Sequence, residues 1–157
     1  MEERKTFTKH CSLREFEIFR VASSKGIAPP MTKSDPVRHT IAAPWYKTLN
    51  EFPQDEWKRF YPQLALQVRK IHRAGYVWLD PSEENIVVNE TGVLYLIDFG
   101  LSLPKSSLWG KEDAQAAQAF DLEESKWVAG VIPLSQKPSE FVLEKCNGRY
   151  KFVSRPV

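Results

Sequence analysis

Residues 71–102 read IHRAGYVWLDPSEENIVVNETGVLYLIDFGLS and decide the fold of this chain. Gly75 follows a run with helical spacing, at a position where helix ends favour a residue of left-handed conformation. Residues 86–89 and 93–97 are rich in Val, Ile, Leu and Tyr, and a short connection ending in Gly92 separates them. Such a connection between two such runs predicts a β-hairpin, preceded here by a helix and a loop.

Three polar side chains lie around the predicted hairpin. Asn85 precedes its first strand, Asp98 follows its second, and Asp80 stands in the loop before it. In an antiparallel pair the start of one strand lies beside the end of the other, so we expect Asn85 and Asp98 to meet. Two carboxylates and an amide at one place can share a metal ion and a phosphate. A surface hairpin with incidental acidic residues is the plainer alternative.

The spacing D-x-x-x-x-N, a strand pair and D-F-G resembles the catalytic centre of the protein-kinase-like superfamily. Upstream, I-H-x-x-G-Y-V resembles the L-H-x-x-G-I-V that leads into the kinase catalytic loop. The loop D-P-S-E-E-N is similar to that of RIO kinases and of the KEOPS-complex kinase, and D-F-G-L-S recurs in the latter. The chain departs from ordinary serine/threonine kinases at Trp78 and Leu79, where His-Arg is usual, and at Ser82, where those enzymes carry a lysine.

The resemblance implies a role for each residue of the site, with ATP and Mg²⁺ as cofactors. Asp98 is expected to bind the metal that bridges the phosphates, and Asn85 to bind a second metal. Asp80 is expected to accept or orient the hydroxyl group of the substrate. Phe99 and Gly100 complete the cofactor-binding D-F-G motif. The implied substrate is a protein or a small molecule that carries a hydroxyl group.

The amino-terminal region offers partners for this site. Ser12 and Glu15 have the spacing of a capping box and predict the start of a helix that ends near Gly26. Glu15 has two interpretations: it caps this helix, or it takes the place of the kinase glutamate that pairs with the ATP-positioning lysine. Lys9 or Lys5 would supply that lysine. Because both lie close to Glu15 in sequence, we expect the short connection to strain the pairing, and Lys9 could equally be an exposed surface lysine.

The remaining pattern predicts an α+β chain. We expect strands at residues 4–9 and 37–43, with Ala43, Pro44 and Trp45 at the hinge that contacts adenine in kinases. Residues 54–74 carry a helical apolar stripe, and Pro62 predicts either a kink or two consecutive helices.

Further along the chain, we predict a polar loop at residues 101–110, a helix at 113–128, a linker at 133–138 and a final hairpin with a type I′ turn at Asn147 and Gly148. His72 is interpreted as a structural hydrogen-bonding histidine rather than a catalytic one. By the resemblance, Asp121 matches the buried aspartate that braces the catalytic loop.

Composition limits the other possibilities. The 157 residues suit one globular domain, and the net charge of +2 supports neither a nucleic-acid nor a membrane argument. Cys11 and Cys146 have no metal-ligand spacing and are expected to be free thiols. The charged start and the lack of a long apolar run predict a cytoplasmic or nuclear protein without a signal peptide or membrane span.

The sequence thus predicts one truncated protein-kinase-like domain, with a reduced small lobe (1–49), a mostly helical large lobe carrying the catalytic hairpin (50–130) and a carboxy-terminal hairpin (131–157). A G-x-G-x-x-G loop is missing, and the region before His72 has no room for a five-stranded small lobe. Three interpretations follow: a minimal atypical kinase of the serine/threonine type, a catalytically inactive kinase-like binding module (pseudokinase), or a truncated gene product. A partner protein that completes the small lobe would fit either of the first two.

Overall fold

The computed structural model describes residues 5–132 and 140–155, and their order of elements is α+β, as predicted. The helices are α1 (Leu13–Ser24), α2 (Tyr61–Arg73) and α3 (Lys111–Val128). The strands are β1 (Thr6–His10), β2 (Lys33–Asp35), β3 (Thr40–Pro44), β4 (Lys47–Thr48), β5 (Tyr76–Val77), β6 (Ile86–Val88), β7 (Leu94–Leu96), β8 (Leu103–Pro104), β9 (Glu140–Cys146) and β10 (Arg149–Arg155). Short 3-10 helices cover Leu49–Glu51, Gln54–Phe60, Glu83–Asn85 and Lys105–Ser107.

The amino-terminal part is a small antiparallel sheet of order β1-β3-β2, with α1 alongside it. The Ser12 hydroxyl accepts a hydrogen bond from the backbone N–H of Glu15, which begins α1 as predicted. The predicted strand at 37–43 is wrong in its first half. The Asp35 carboxylate accepts hydrogen bonds from two following backbone N–H groups, and this turn leaves Val37 87% exposed before β3 begins.

The predicted hairpin at the centre of the chain is present as β6 and β7, and β4 extends it to a sheet of order β4-β6-β7. The Asn89 side chain accepts hydrogen bonds from the backbone of Thr91 and Val93, and Gly92 has φ = 86°, which together close the turn. Every residue of β6 is buried. The pairing of β4 with β6 was not predicted, because β4 has only two residues.

Helix α2 packs against β7 of the central sheet and is bonded to the end of α1. Pro62 lies in its first turn, after the separate 3-10 helix at Gln54–Phe60, so the interpretation as two consecutive helices is correct. The buried side chain of Gln67 donates hydrogen bonds of 2.8 Å to the carbonyl groups of Gly26 and Leu94. The backbone N–H of Leu96 donates to the Ile27 carbonyl, also at 2.8 Å. The end of α1 is therefore fixed to both α2 and the hairpin.

The carboxy-terminal part packs on the other side of the molecule. The predicted polar loop at 101–110 in fact contains β8, which pairs with β5. The final hairpin is confirmed: β9 and β10 are antiparallel, and the positive φ angles of Asn147 and Gly148 (50° and 78°) are those of a type I′ turn. Its aromatic side chains pack on Phe120 of α3. The predicted linker at 133–138 lies outside the described residues.

Most buried apolar side chains belong to one core between α1, α2 and the two three-stranded sheets, and a second core lies between α3 and the final hairpin. Cys11 and Cys146 are free thiols, as predicted. None of the helices in the described part of the chain has the length and apolar character that a membrane span requires.

Candidate active site

A cleft lies between the amino-terminal sheet and the central hairpin. One end is apolar and aromatic, and the other carries charged groups. Its lining brings together Lys9, Glu15, Asn85 and Asp98, which were singled out for the site, with Pro44 and Trp45 of the expected hinge and six others: Phe7, Phe19, Tyr46, Thr48, Val87 and Ile97. The residues with predicted roles therefore come from β1, α1, the end of β3 and the open end of the hairpin.

Lys9 lies between Glu15 of α1 and Asp98 of the hairpin at the polar end of the cleft. Its Nζ lies 2.6 Å from Glu15 Oε2 and 3.5 Å from Asp98 Oδ1. The pair with Glu15 forms although only Cys11 and Ser12 join β1 to α1, and both members of the pair line the cleft. The Glu15 carboxylate is used for this ion pair, while its backbone N–H is used for the cap. Lys5 is exposed, and its carbonyl accepts a hydrogen bond from Trp45, so Lys9 is the lysine of the cleft.

The environment favours the charged form of Lys9. Partial burial lowers its pKa, but the hydrogen bond to Glu15 and the negative charges of Glu15 and Asp98 outweigh burial and leave the pKa raised. Burial and the nearby Glu15 charge also raise the pKa of the Cys11 thiol to about 11, so this neighbour remains neutral at pH 7. The polar end thus contains one ammonium group between two carboxylates.

The Asp98 backbone has an unusual conformation. Its φ of 62° lies in the left-handed region, which costs energy for a residue other than glycine. Three contacts support it: the Gly100 N–H donates to Asp98 Oδ1 at 3.2 Å, the Trp78 indole donates to the Asp98 carbonyl at 3.2 Å, and Phe99 is buried edge-to-face against Phe19. The conformation directs the carboxylate into the cleft while Phe99 enters the core.

Asn85 and Asp80 lie beside Asp98, as the hairpin predicted. The backbone N–H of Ile97 donates to the Asn85 carbonyl at 2.9 Å, which joins the start of one strand to the end of the other. Asn85 Nδ2 donates to the Asp80 carbonyl at 3.2 Å. Burial and the negative charge of Asp98 raise the pKa of the Asp80 carboxyl, although Asn85 and Lys9 act in the opposite direction.

The loop that carries Asp80 is held in place by Asp121 of α3, through hydrogen bonds to the backbone of the loop. This fully buried carboxylate accepts hydrogen bonds from the backbone N–H groups of Trp78 (2.8 Å) and Leu79 (2.7 Å). His72 Nε2 lies 2.7 Å from the same carboxylate, which agrees with the structural interpretation of this histidine. Leu79, with φ = 66°, is held in the left-handed region directly before Asp80. The expected bracing by Asp121 is present.

The aromatic end combines Pro44 and Trp45, which the sequence analysis expected at the adenine-contacting hinge, with Phe7 and Tyr46, which it did not identify as part of the site. Trp45 is 50% exposed and makes an edge-to-face contact with Phe7, with ring centroids 6.2 Å apart. Tyr46 stacks on Tyr95 of β7. Phe7 could have been found from its spacing, because side chains two residues apart on a strand share a face and Lys9 was already a candidate.

The donor atoms are those that a magnesium ion accepts. Within residues 5–132 and 140–155, no group of three or more His, Cys, Asp or Glu side chains forms a ready-made metal cluster. Magnesium needs only one or two protein oxygens, because it keeps several waters and takes phosphate oxygens as ligands. The Asp98 carboxylate and the Asn85 amide oxygen are of this kind, and both line the cleft.

Comparison with known proteins gives partial and distant matches. No family model matches the chain. Over 101 residues it is 29% identical to the KEOPS complex subunit Bud32 of Pyrococcus abyssi, covering 60% of this chain and 46% of that protein. It is 41% identical over 51 residues to ribosomal protein S6 kinase alpha-6 of Mus musculus, covering 32% of this chain and 7% of that protein.

A third relative is the hormonally up-regulated neu tumor-associated kinase homolog B of Xenopus laevis, which is 43% identical over 49 residues. That alignment covers 31% of this chain and 8% of the relative. The chain thus matches less than half the length of each of these relatives. Their names indicate a protein-kinase-like relationship and are compatible with phosphotransferase activity of that general kind.

Proposed function

We propose that this chain binds ATP with magnesium in the cleft and transfers the γ-phosphate to a hydroxyl group, as a small atypical kinase. The observation that carries the proposal is the position of Lys9 between Glu15 and Asp98, at the polar end of a cleft whose other end is aromatic. A nucleotide has the same division into a flat apolar base and a charged phosphate chain.

The base would lie at the aromatic end. Phe7 and Trp45 provide ring surface on one side, and Val87 and Ile97 provide apolar surface of the hairpin. A purine that stacks on such rings removes apolar area from water and gains ring–ring attraction. Half of the Trp45 side chain is exposed, so a ligand can reach it without any rearrangement of the core.

The phosphates would lie at Lys9. Its raised pKa keeps the ammonium charged at neutral pH, and Glu15 fixes the direction of the side chain. Asp98 and Asn85 would hold magnesium, which would neutralise part of the negative phosphate charge that repels an attacking hydroxyl oxygen. The contact of 3.5 Å between Lys9 and Asp98 is longer than that with Glu15, so Lys9 can turn towards a phosphate while it keeps Glu15.

Asp80 would orient the hydroxyl group that attacks. Its hydrogen bond with Asn85 and its closeness to Asp98 support this role, and its raised pKa would make the carboxylate a better proton acceptor than an ordinary aspartate. Ser82 leaves this place without the lysine charge that ordinary serine/threonine kinases have there. The substrate is a protein or a small molecule with a free hydroxyl group.

A kinase-like binding module is the second candidate. One observation favours it: in the described part of the chain, the sheet above the cleft ends at β1, so no glycine-rich hairpin covers the phosphates. The outward backbone groups of Thr6, Thr8 and His10 form a free edge there, because the alternate residues of β1 are those bonded to β3. A partner protein that adds strands to this edge would complete the small lobe.

The first test is a thermal-shift titration of the purified protein with ATP, with and without magnesium. A ligand that binds only the folded state stabilises it by RT ln(1 + [L]/Kd), about 2.7 kcal/mol at a hundredfold excess over Kd. We expect a magnesium-dependent increase in Tm in the wild type, and its loss in Asp98→Asn. Asp55→Asn, at an exposed position of the 3-10 helix, is the matched control and should behave as the wild type.

The second test separates the two candidates. We expect the wild type to release phosphate from ATP or to phosphorylate its own hydroxyl groups, as measured by phosphate assay and mass spectrometry. Asp80→Asn should abolish this turnover and leave the Tm increase with magnesium-ATP in place. Nucleotide binding with turnover no higher than in Asp80→Asn would favour the binding module, and no Tm increase at millimolar ATP would contradict the nucleotide site.

A further inference from the structure

Arg14 makes a contact that the proposed function does not use. It lies in the first turn of α1, directly before Glu15, and its Nη2 donates a 3.1 Å hydrogen bond to the backbone carbonyl of Gly100. The two residues are 86 positions apart in the chain. This contact therefore joins α1 to the segment that carries the Asp98 carboxylate.

The contact closes a ring of interactions around the polar end of the cleft. Gly100 donates to Asp98 Oδ1, Asp98 lies beside Lys9, and Lys9 pairs with Glu15, which follows Arg14 in the helix. The Gly100 backbone passes so close to this group that an added Cβ would lie 3.2 Å from Asp98 Oδ1 and 3.8 Å from Glu15 Oε2. A displacement of the Gly100 carbonyl would therefore move the Asp98 carboxylate.

A bound nucleotide would affect the Lys9–Asp98 contact but not the Arg14–Gly100 hydrogen bond. Phosphate groups would compete with Asp98 for the Lys9 ammonium, so the 3.5 Å contact is weakened when ATP binds. The Arg14 hydrogen bond ends on a backbone carbonyl, and neither Arg14 nor Gly100 lines the cleft. The Arg14 connection can therefore persist in both states.

We propose that Arg14 is a positioning residue that holds residues 98–100 against α1 and so orients the Asp98 carboxylate for magnesium. This inference rests on the proposed function for the role of Asp98. The Arg14–Gly100 hydrogen bond, which we call the tether, is a property of the protein without ligand. A charge-assisted hydrogen bond of this kind is stronger than a neutral one and has a fixed direction. It would support the left-handed backbone of Asp98, which is otherwise unfavourable.

The test compares Arg14→Ala and Arg14→Lys with Arg20→Ala. Arg20 is an exposed arginine of the same helix whose guanidinium lies over the Phe16 ring, 5.9 Å from its centroid, so it controls for the loss of a cation from α1. Two quantities are measured: hydrogen exchange of residues 98–101 without nucleotide, and ATP affinity as a function of magnesium concentration. The exchange measurement needs no ligand.

We expect Arg14→Ala to speed exchange of the Gly100 amide several-fold and to weaken ATP binding at limiting magnesium by roughly threefold to tenfold, a range lowered from that of a buried charge-assisted hydrogen bond because this one is exposed. Binding without magnesium should not change. Arg14→Lys should recover part of both effects, because the ammonium keeps the charge, and Arg20→Ala should match the wild type.

Unchanged exchange at residues 98–101 in Arg14→Ala would overturn the tether. Faster exchange together with an unchanged magnesium dependence, in a wild type that binds magnesium-ATP, would overturn the role in orienting Asp98. If the wild type binds no magnesium-ATP, the proposed function fails, while the exchange result still judges the tether. The two failures are therefore distinguishable.

Discussion

The two walls of the cleft are built differently. On the hairpin side, Asn85 and Asp98 extend from strands with buried residues, and the buried carboxylate of Asp121 fixes the Asp80 loop from below. On the other side, Lys9 lies on the edge strand β1 with 38% of its side chain exposed, and Trp45 directly follows the central strand β3 and is 50% exposed. Both walls rest on the core, but the site residues of the first are held by buried hydrogen bonds, whereas Lys9 and Trp45 of the second are partly exposed.

This difference teaches which changes should affect folding and which should affect only the site. A substitution beneath the hairpin wall removes buried hydrogen bonds and lowers the stability of the whole domain. A substitution on the sheet wall leaves the core intact and changes ligand contacts alone. The following predictions test this division.

Replacement of Asp121 should have the largest effect. Asp121→Ala leaves the backbone N–H groups of Trp78 and Leu79 buried without acceptors, together with His72. We expect the free energy of unfolding to decrease by about 3–5 kcal/mol, as for the loss of one partner of a buried charged network. Urea denaturation measures it, with the exposed Asp55→Ala as control. A loss below about 1 kcal/mol, the usual range of an exposed site, would contradict a hairpin wall held by buried hydrogen bonds.

Replacement of Trp45 should affect the ligand and not the fold. Trp45→Ala removes the half-exposed ring at the aromatic end, where stacking with a base is worth about 1–3 kcal/mol. ATP affinity, measured by calorimetry, should therefore fall by at least about fivefold while Tm stays close to that of the wild type. Trp109→Ala, at another exposed tryptophan that does not line the cleft, is the control. Unchanged affinity would place the base elsewhere.

Replacement of Gly100 should disturb the Asp98 carboxylate, which belongs to the hairpin wall and contacts Lys9 of the sheet wall. In Gly100→Ala the new methyl group would lie 3.2 Å from Asp98 Oδ1, so the carboxylate must move by a few tenths of an ångström. We expect magnesium-dependent ATP binding to weaken roughly threefold, a smaller change than the loss of a ligand atom. Gly110→Ala has no atom within 4 Å of its Cβ and is the matched control. Equal binding by both variants would show that the Asp98 position is not critical.

The smallest effect concerns pH. The folded protein holds the Asp80 proton more tightly than the unfolded chain, because burial and Asp98 raise its pKa above 3.8. As pH rises from the pKa of Asp80 in the unfolded chain to its higher pKa in the folded protein, the unfolded chain loses the proton first. Asp80 therefore lowers the free energy of unfolding progressively until the folded carboxyl has ionised. Asp80→Asn should remove this decrease, and above the interval it should be as stable as the wild type or slightly more so. A steeper decline in the variant, measured by Tm between pH 3.5 and neutrality in the range of ordinary carboxyl titration, would contradict the assignment.

The sequence predicted the hairpin wall better than the sheet wall, for a physical reason. Asn85, Asp98 and their hairpin follow from local periodicity and a turn containing Gly92, and α2 follows from its apolar stripe. The contact between Arg14 and Gly100 joins residues 86 positions apart and has no local pattern. Strands β2 and β4 are too short for alternation to be visible, with three and two residues.

Glu15 also shows that a tertiary contact cannot be predicted from a local sequence pattern. Its spacing from Ser12 predicted a capping box, and the serine half of that box is present. The carboxylate, however, forms an ion pair with Lys9 at 2.6 Å, since the short connection between β1 and α1 leaves the Lys9 ammonium close to it. Local sequence defined the beginning of the helix, and only the tertiary arrangement decided the partner of the side chain.

The fixed end of α1 has a mechanical consequence. Gly26 and Ile27 are bonded to α2 and the hairpin, whereas Glu15 and Arg14, at the other end, are held by side-chain contacts. The helix is therefore a lever that pivots at its carboxyl end, and Glu15 lies about 16 Å from the pivot at 1.5 Å per residue. A rotation of about 10° would move Glu15 by about 3 Å, by the same helix dimensions. That displacement is enough to break the Lys9 ion pair, and because Phe16 and Phe19 of the same helix are buried in the main core, it would also require those side chains to repack.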